Sequence, residues 1–324
     1  MPPFRRRAIL AACCVLGFGG AAMAQPYPSH PVRIVVPYPA GGSNDIIARI
    51  VAQKLTERSG QPFLVENRGG ASGNIGAEMV ASSDPDGYTL LLTAPPPLTT
   101  NMALYKNLKF DPSTAFAPVS LVASVPIVLV VHPSVPARTV NELVALAKAK
   151  PGSLDFGSSG NGSTNHLAGE LLKSMTGIEI VHVPYKGAAP AMNDLIGGHI
   201  PMMFDNMPSV LPQVQAKLIN AIAVAGAKRA SAMPDVPTVA ESGLAGFEAS
   251  SWFGLVAPAK TPAPVLAKLQ GEVASILQMP DVRKRLTELG AEPGTISGEA
   301  FGTYLAEETA KWSKIIRASG VTAE

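Results

Sequence analysis

The chain has 324 residues, of which 47% are hydrophobic and 15% charged, and its formal net charge is +2. This composition is typical of a globular protein large enough for two domains, and it excludes a disordered chain. Removing the first 24 residues lowers Lys+Arg from 26 to 23 against 24 Asp+Glu, so the net charge falls from +2 to −1. We therefore expect no nucleic-acid partner.

The first 24 residues have the pattern of a cleavable export signal. Three arginines at 5–7 precede an apolar segment at 8–22, and residues 22–24 are the small-residue pattern Ala-Met-Ala. We predict a signal peptide at 1–24, cleavage near Ala24 and a periplasmic mature protein, exported by the Sec or the twin-arginine route. Both cysteines, Cys13 and Cys14, lie in this leader. The mature chain is therefore predicted to lack disulfides and thiolate metal ligands.

A strand that turns into a helix opens the mature chain. Residues 32–36 are apolar and β-branched, and Ile47, Ile50, Val51 and Leu55 share one helical face. The loop between them, residues 37–45, reads PYPAGGSND and contains residues that cap helices but no Lys, Arg or His. Exposed amides at a helix N-terminus bind anions, so this loop is a candidate anion site made of amides and hydroxyls.

Alternating strands and helices continue from this point. We predict strands at 62–66 and 88–93, a helix at 75–82, a strand or a pair of strands at 119–131, and a helix at 139–150. Strands that alternate with helices at this spacing predict an α/β fold with a parallel sheet. In such sheets, ligands bind beyond the carboxyl ends of the strands.

A second loop of the same design follows a short strand at 154–157. Residues 157–166 read GSSGNGSTNH and lead into a helix, again without Lys or Arg. Further strands are predicted at 178–183, 200–204, 219–225 and 251–257, and helices at 188–196, 262–278, 281–289 and 297–318.

Two α/β lobes, each with a neutral anion loop, suggest a cleft that holds one small carboxylate from both sides. If the C-terminal helices return to the first lobe, the chain crosses between the lobes twice. This predicts a two-strand hinge and closure around the ligand.

Several motifs in this order resemble the Bug family of extracytoplasmic solute receptors. They are the sequences at 37–45, 65–73 (VENRGGASG), 157–166, 183–187 (VPYKG), 204–205 (FD) and 251–258 (SWFGLVAP). The resemblance implies a type II periplasmic binding protein fold with two Rossmann-like lobes, and a tripartite tricarboxylate transporter permease as partner. The expected lobes are 25–124 with 251–324, and 125–250.

The resemblance also implies which residues contact the ligand. They are Tyr38, Gly41, Gly42, Ser43 and Asp45 in the first lobe, and Ser158, Ser159, Gly160, Ser163, Thr164 and His166 in the second. Asp205, at the end of a further predicted strand, is an additional candidate. Asp205 has two open interpretations, since it either accepts from a ligand ammonium or hydroxyl or orients a neighbouring loop. The proline run at 95–97 replaces the small and polar residues that are common in the family.

Two other functions remain open from the sequence. An exported enzyme is disfavoured, because no metal-hydrolase, nucleophile-elbow or Walker motif occurs. A loaded receptor that signals to a membrane sensor is compatible with the same features. We expect a monomer that binds a mono- or dicarboxylate, with amino acids among the candidates, and no cofactor or metal.

Overall fold

The computed structural model describes residues 27–319; the predicted signal peptide lies outside them. The first part of the chain alternates strands and helices as predicted. Its elements are β1 (Val32–Val36), α1 (Ser43–Ser59), β2 (Phe63–Asn67), α2 (Asn74–Ala81) and β3 (Thr89–Thr93). Short 3-10 helices at Ala71–Gly73 and Pro96–Leu98, and the short helices α3 (Asn101–Leu104) and α4 (Pro112–Ala115), lead to strand β4 (Phe116–Val131).

The middle of the chain repeats the alternation. Its elements are α5 (Val140–Ala149), β5 (Leu154–Ser158), α6 (Thr164–Thr176), β6 (Ile180–Pro184), α7 (Ala188–Ile196), β7 (Met202–Asn206), α8 (Met207–Gln215) and β8 (Asn220–Val224). The chain then returns through β9 (Ser250–Pro258), α9 (Ala263–Gln278), α10 (Pro280–Glu288), β10 (Glu292–Pro293) and α11 (Gly298–Ser319). Within residues 27–319, none of the helices combines the length and the apolarity needed to span a bilayer.

The strands form one curled sheet in the order β2-β1-β3-β9-β4-β7-β5-β6, with β8 and β10 also paired to β4. As predicted, β1 runs parallel to β2 and β3, and β5 runs parallel to β6 and β7. The long strand β4 is antiparallel to both β9 and β7. The sheet is therefore mixed, with antiparallel strands at its centre.

Strand β4 connects the two halves of the sheet. Its residues 116–126 pair with β9, and its residues 127–131 pair with β7 and β8. The returning chain enters β9 at Ser250, which pairs with Pro126. Two adjacent strands thus join the halves. This is the predicted fold class, with a first lobe built on β1, β2, β3 and β9, and a second lobe built on β5, β6, β7 and β8.

Each lobe has its own apolar core. In the first lobe, α1 and α9 bury Ile47, Val51 and Leu269 against the sheet; in the second, α5 and α6 bury Leu143 and Leu172. Burying one such side chain stabilises the fold by about 1.5–3 kcal/mol. A smaller cluster crosses between the lobes and contains Leu104, Leu167, Trp312 and Ile316. The lobes are therefore in contact beside the cleft as well as at the hinge.

The sequence analysis predicts no helix between the strands at 200–204 and 219–225, but the structure has α8 there. Pro208 and Pro212 lie inside this helix, and proline in a helix interior usually breaks it. Pro208 is tolerated because it lies in the first turn, where the backbone N–H has no helical acceptor. The chain at 119–131, which the sequence left open as one strand or two, belongs to the single strand β4 despite Pro126.

Candidate ligand-binding cleft

Four helices begin at the wall of one small cavity between the lobes, which we call the inner cavity. Its lining includes Gly42, Ser43 and Asn44 at the start of α1, and Ser163, Thr164 and Asn165 at the start of α6. Ala188 at the start of α7 and Asn206, the N-cap of α8, complete these helix ends. Tyr38, Pro39, Ala94, Pro96, Ser159 and Phe253 form the remaining wall.

The electrostatics of the inner cavity favour an anion. Each helix N-terminus carries N–H groups that have no acceptor within the helix and about half a positive charge, and four helix N-termini face the same space. No Lys, Arg or His is among the described residues that line it. An anion here would therefore be held by amides, hydroxyls and helix dipoles.

The first-lobe loop is held in shape by Asp45. Its carboxylate accepts hydrogen bonds from the Gly41 amide at 3.0 Å and from Asn67 Nδ2 at 3.0 Å, and it forms an ion pair with Arg49 at 2.9 Å. Burial opposes ionisation, but the hydrogen bonds from Arg49 and Gly41 hold the pKa of Asp45 below its ordinary value. Gly41 has φ +87°, a conformation that favours glycine.

The second-lobe loop rests on two stacked histidines. His182 Nε2 lies 2.6 Å from Ser158 Oγ, and that oxygen also accepts from the Gly160 amide at 3.1 Å. His166 Nδ1 accepts from the Gly162 amide at 3.0 Å. The two rings stack with centroids 3.8 Å apart. The histidine pair therefore fixes the backbone at residues 158–162.

Both histidines are held in their neutral form. Burial lowers the pKa of His166 to about 4 and the pKa of His182 to about 3. A neutral His166 is required for its role, because Nδ1 must be unprotonated to accept from Gly162.

Hydrogen bonds cross the cleft between the lobes. The Ser43 and Ser209 hydroxyls lie 2.5 Å apart, and each backbone amide donates to the other hydroxyl at 3.1 Å. The Ser72 hydroxyl also donates to the Asn161 carbonyl. Helices α1 and α8 thus meet end to end, and the cleft is closed.

Two neighbouring cavities occupy the closed cleft. The inner cavity has a volume of about 30 Å³, room for about two waters. A second cavity of about 210 Å³, the outer cavity, shares Tyr38 and Ser159 with it. The outer cavity is lined by the glycine-rich loop at 70–73 and by Gly160, Tyr185 and Lys186.

The structure brings seven of the twelve predicted site residues to these cavities. Tyr38, Gly42, Ser43, Ser159, Ser163 and Thr164 line the inner cavity, and Gly160 lines the outer one. The others lie outside both linings, where they shape the loops and helix starts: Gly41, Asp45, Ser158, His166 and Asp205.

Asp205 lies behind the inner cavity at the end of β7 and is completely buried. Its Oδ1 accepts from Asn165 Nδ2 at 2.9 Å, and Asn165 lines the cavity. Burial raises the pKa of Asp205 to about 7, and hydrogen bonds from the Asn206 amide and Asn165 offset only part of that effect. This placement favours the second interpretation of Asp205, a residue that orients its neighbours.

A sequence profile of the tripartite tricarboxylate transporter family receptors matches residues 47–321. The chain belongs to this family. Among curated relatives, BugT of Bordetella pertussis is 36% identical over 305 residues, which cover 94% of each chain.

Two solved structures resemble this receptor closely. The R. palustris protein Rpa4515, solved with adipate, is 40% identical with a TM-score of 0.89, over 91% of this chain and 99% of that one. MatC from Rhodopseudomonas palustris, with bound malate, is 31% identical with a TM-score of 0.85, over 90% of this chain and 100% of that one. These similarities confirm the predicted family and fold.

Sequence reasoning missed several residues of the receptor's cleft. Asn44 was considered only as a helix cap, but the N-cap of α1 is Gly42, which leaves the Asn44 side chain at the cavity wall. The sequence analysis also gives no indication that Ser209 contacts Ser43. Pro96, from the proline run, lines the inner cavity. A proline in the first turn after Asn206 is a helix-start signal that could have revealed α8.

Replacing His182 with phenylalanine tests how this receptor holds its second-lobe loop. The ring volume remains, but the hydrogen bond to Ser158 is lost. We expect a ligand Kd about three- to tenfold weaker, the value of one net hydrogen bond of about 1 kcal/mol. Isothermal titration calorimetry with an acid that the receptor binds measures this change.

The pH dependence separates this role from simple packing. Because the folded-state pKa of His182 lies below its unfolded value of about 6.5, folding stability is lost as pH falls through 6.5. His182→Phe should therefore lose less stability than wild type between pH 7 and pH 5 in urea unfolding. Equal losses in both proteins would contradict a buried neutral His182.

Proposed function

We propose that this chain is a periplasmic receptor that captures a small organic acid, a mono- or dicarboxylate, between its lobes and delivers it to a tripartite tricarboxylate transporter permease. The observation that carries the proposal is the meeting of four helix N-termini from both lobes at one cavity, whose lining among residues 27–319 contains no cationic side chain. The adipate and malate in the two similar structures support a carboxylate as ligand.

The acid's carboxylate would occupy the inner cavity. There it would accept hydrogen bonds from the amides of Gly42 and Thr164 and from the hydroxyls of Ser43 and Ser163, at the starts of α1 and α6. Tyr38 and Ser159 line both cavities, so the rest of the ligand would extend past them toward Gly160. Gly41, Asp45, Ser158, His166 and Asp205 would act by shaping these contacts.

Closure would accompany binding, because contacts from both lobes to one molecule favour the closed state. The change of pairing partner along β4 after Pro126 supports a hinge near the proposed boundaries, with lobes at 25–124 plus 251–324 and at 125–250. We further propose that residues 1–24 direct export, that the receptor is a monomer without cofactor or metal, and that it performs no catalysis.

Titration calorimetry of the mature protein against a panel of mono- and dicarboxylates tests the proposal. We expect at least one acid to bind with a Kd of about 1 μM, about −8 kcal/mol. Small-angle scattering should show a smaller radius of gyration with that acid than without it.

Gly160→Trp provides a blocked control. Gly160 has φ +127°, and a Cβ there would lie 3.0 Å from Ser72 Oγ, which belongs to the opposite lobe. The variant should bind none of the acids bound by wild type. The absence of heat for every acid with the wild-type protein would contradict the proposed function.

A further inference from the structure

The inner cavity contains buried hydrogen-bonding atoms that the described residues leave without partners. Asn44 is 5% exposed and lines the cavity, and neither its Oδ1 nor its Nδ2 has a hydrogen-bond partner among residues 27–319. Asn206, 8% exposed and also in the lining, has an unpartnered Oδ1. Buried polar atoms are almost always paired in folded proteins, so the groups that fill this cavity are expected to pair with these atoms.

The unpartnered atoms include acceptors as well as a donor. A carboxylate only accepts hydrogen bonds, so it can satisfy Asn44 Nδ2 but neither amide oxygen. Because both amide atoms of Asn44 lack partners, exchanging its oxygen and nitrogen positions leaves the same requirement. The cavity therefore presents acceptors that an unsubstituted acid leaves unpaired.

Their position at the helix starts indicates where a ligand's donor would lie. Asn44 is the second residue of α1, in the same helical turn as the amides expected to bind the carboxylate, and Asn206 caps α8, whose Ser209 contacts Ser43. For a ligand whose carboxylate binds these amides, we place the donor that reaches these oxygens on the carbon beside the carboxylate.

We propose that this receptor selects acids that carry a hydrogen-bond donor, a hydroxyl or an ammonium group, on the carbon next to the carboxylate. The side-chain oxygen of Asn44 accepts the hydrogen bond from this donor. This inference rests on the proposed function and specifies its ligand class. Leaving a buried acceptor unpaired on binding weakens affinity by about tenfold or more. Hydroxyl and ammonium share this chemistry, and the experiment separates them.

Two matched series of acids test the proposal by calorimetry on the wild-type protein. The first is propionate, lactate and alanine; the second is succinate, malate and aspartate. Within a series, the members differ only in having hydrogen, hydroxyl or ammonium on one carbon. We expect a donor-bearing member to bind at least tenfold tighter than its parent, and the stronger of the two identifies the donor.

These measurements distinguish a failure of the donor requirement from a failure of the proposed receptor function. If a parent acid binds as tightly as its substituted forms, the donor requirement is wrong while the receptor function stands. If none of the six acids binds, the donor proposal is also wrong, and the broader panel alone decides the receptor function.

Asn44→Leu assigns the preference to its residue. This change keeps the approximate side-chain volume and removes both amide atoms. The preference for the donor-bearing acid over its parent should fall below threefold. Asn141→Leu, the same substitution at an exposed position of α5, should retain the full preference. A full preference in Asn44→Leu would overturn the role of Asn44, and the wild-type series decides the proposal if that variant does not fold.

Discussion

Ser43→Trp is expected to abolish ligand binding, with a Kd at least about 100-fold weaker, about 2.7 kcal/mol. Ser43 is 2% exposed and its hydroxyl lies 2.5 Å from that of Ser209 in the opposite lobe. An indole has no space at this contact. Because α1 and α8 belong to different lobes, the lobes must separate to accommodate it, and the two halves of the site then no longer meet.

Calorimetry and small-angle scattering together measure this effect. The variant should give no heat with the acid that wild type binds, and its radius of gyration should not change when the acid is added. Ser275→Trp, an equal change at an exposed position of α9, should bind normally. Binding by Ser43→Trp within threefold of wild type would show that closure at this contact is unnecessary.

Asp205→Asn is expected to gain stability relative to wild type as pH rises from acidic to neutral. Burial raises the pKa of Asp205 from 3.8 to about 7. Between these values the unfolded carboxyl releases its proton and the folded one keeps it, so wild-type stability falls as pH rises. At 1.36 kcal/mol per pH unit the full effect is about 4 kcal/mol, reached above pH 7.

Urea unfolding at intervals from pH 4.5 to pH 8 tests this expectation. The stability of Asp205→Asn minus that of wild type should rise by about 3 kcal/mol across this range, because asparagine does not titrate. The substituted side chain keeps an oxygen that can accept from Asn165. Asp235→Asn, the same substitution at an exposed position, is the matched control. A constant difference between Asp205→Asn and wild type would contradict the buried, proton-binding carboxyl.

Local sequence signals predicted the elements that begin the site. The apolar run of β1 and the helical face of α1 depend only on residues that are close together in the sequence. The same holds for the loop before α6 and its serine cap. Ser163 caps α6 by accepting from the His166 amide at 3.2 Å, an interaction between residues three apart. Such short-range patterns can be read directly from a sequence.

The contacts that complete the site depend on long-range packing. Ser43 meets Ser209 across 166 positions of sequence, at the start of a helix that contains Pro212, a residue typical of helix ends and loops. His182 supports Ser158 because the register of β5 and β6 places them at adjacent strands. The polar residues 43–45 suggested a cap, but α1 is capped at Gly42, and Asn44 lines the cavity. A sequence gives no local signal for any of these relations.

A crystal structure with the tightest-binding acid tests the central claim most directly. We expect its carboxylate in the inner cavity, at hydrogen-bond distances of about 2.7–3.2 Å from groups at the starts of both α1 and α6, with no cationic side chain in contact. A carboxylate that contacts one lobe only, or that binds outside the cleft, would contradict capture between two opposed sets of helix N-termini.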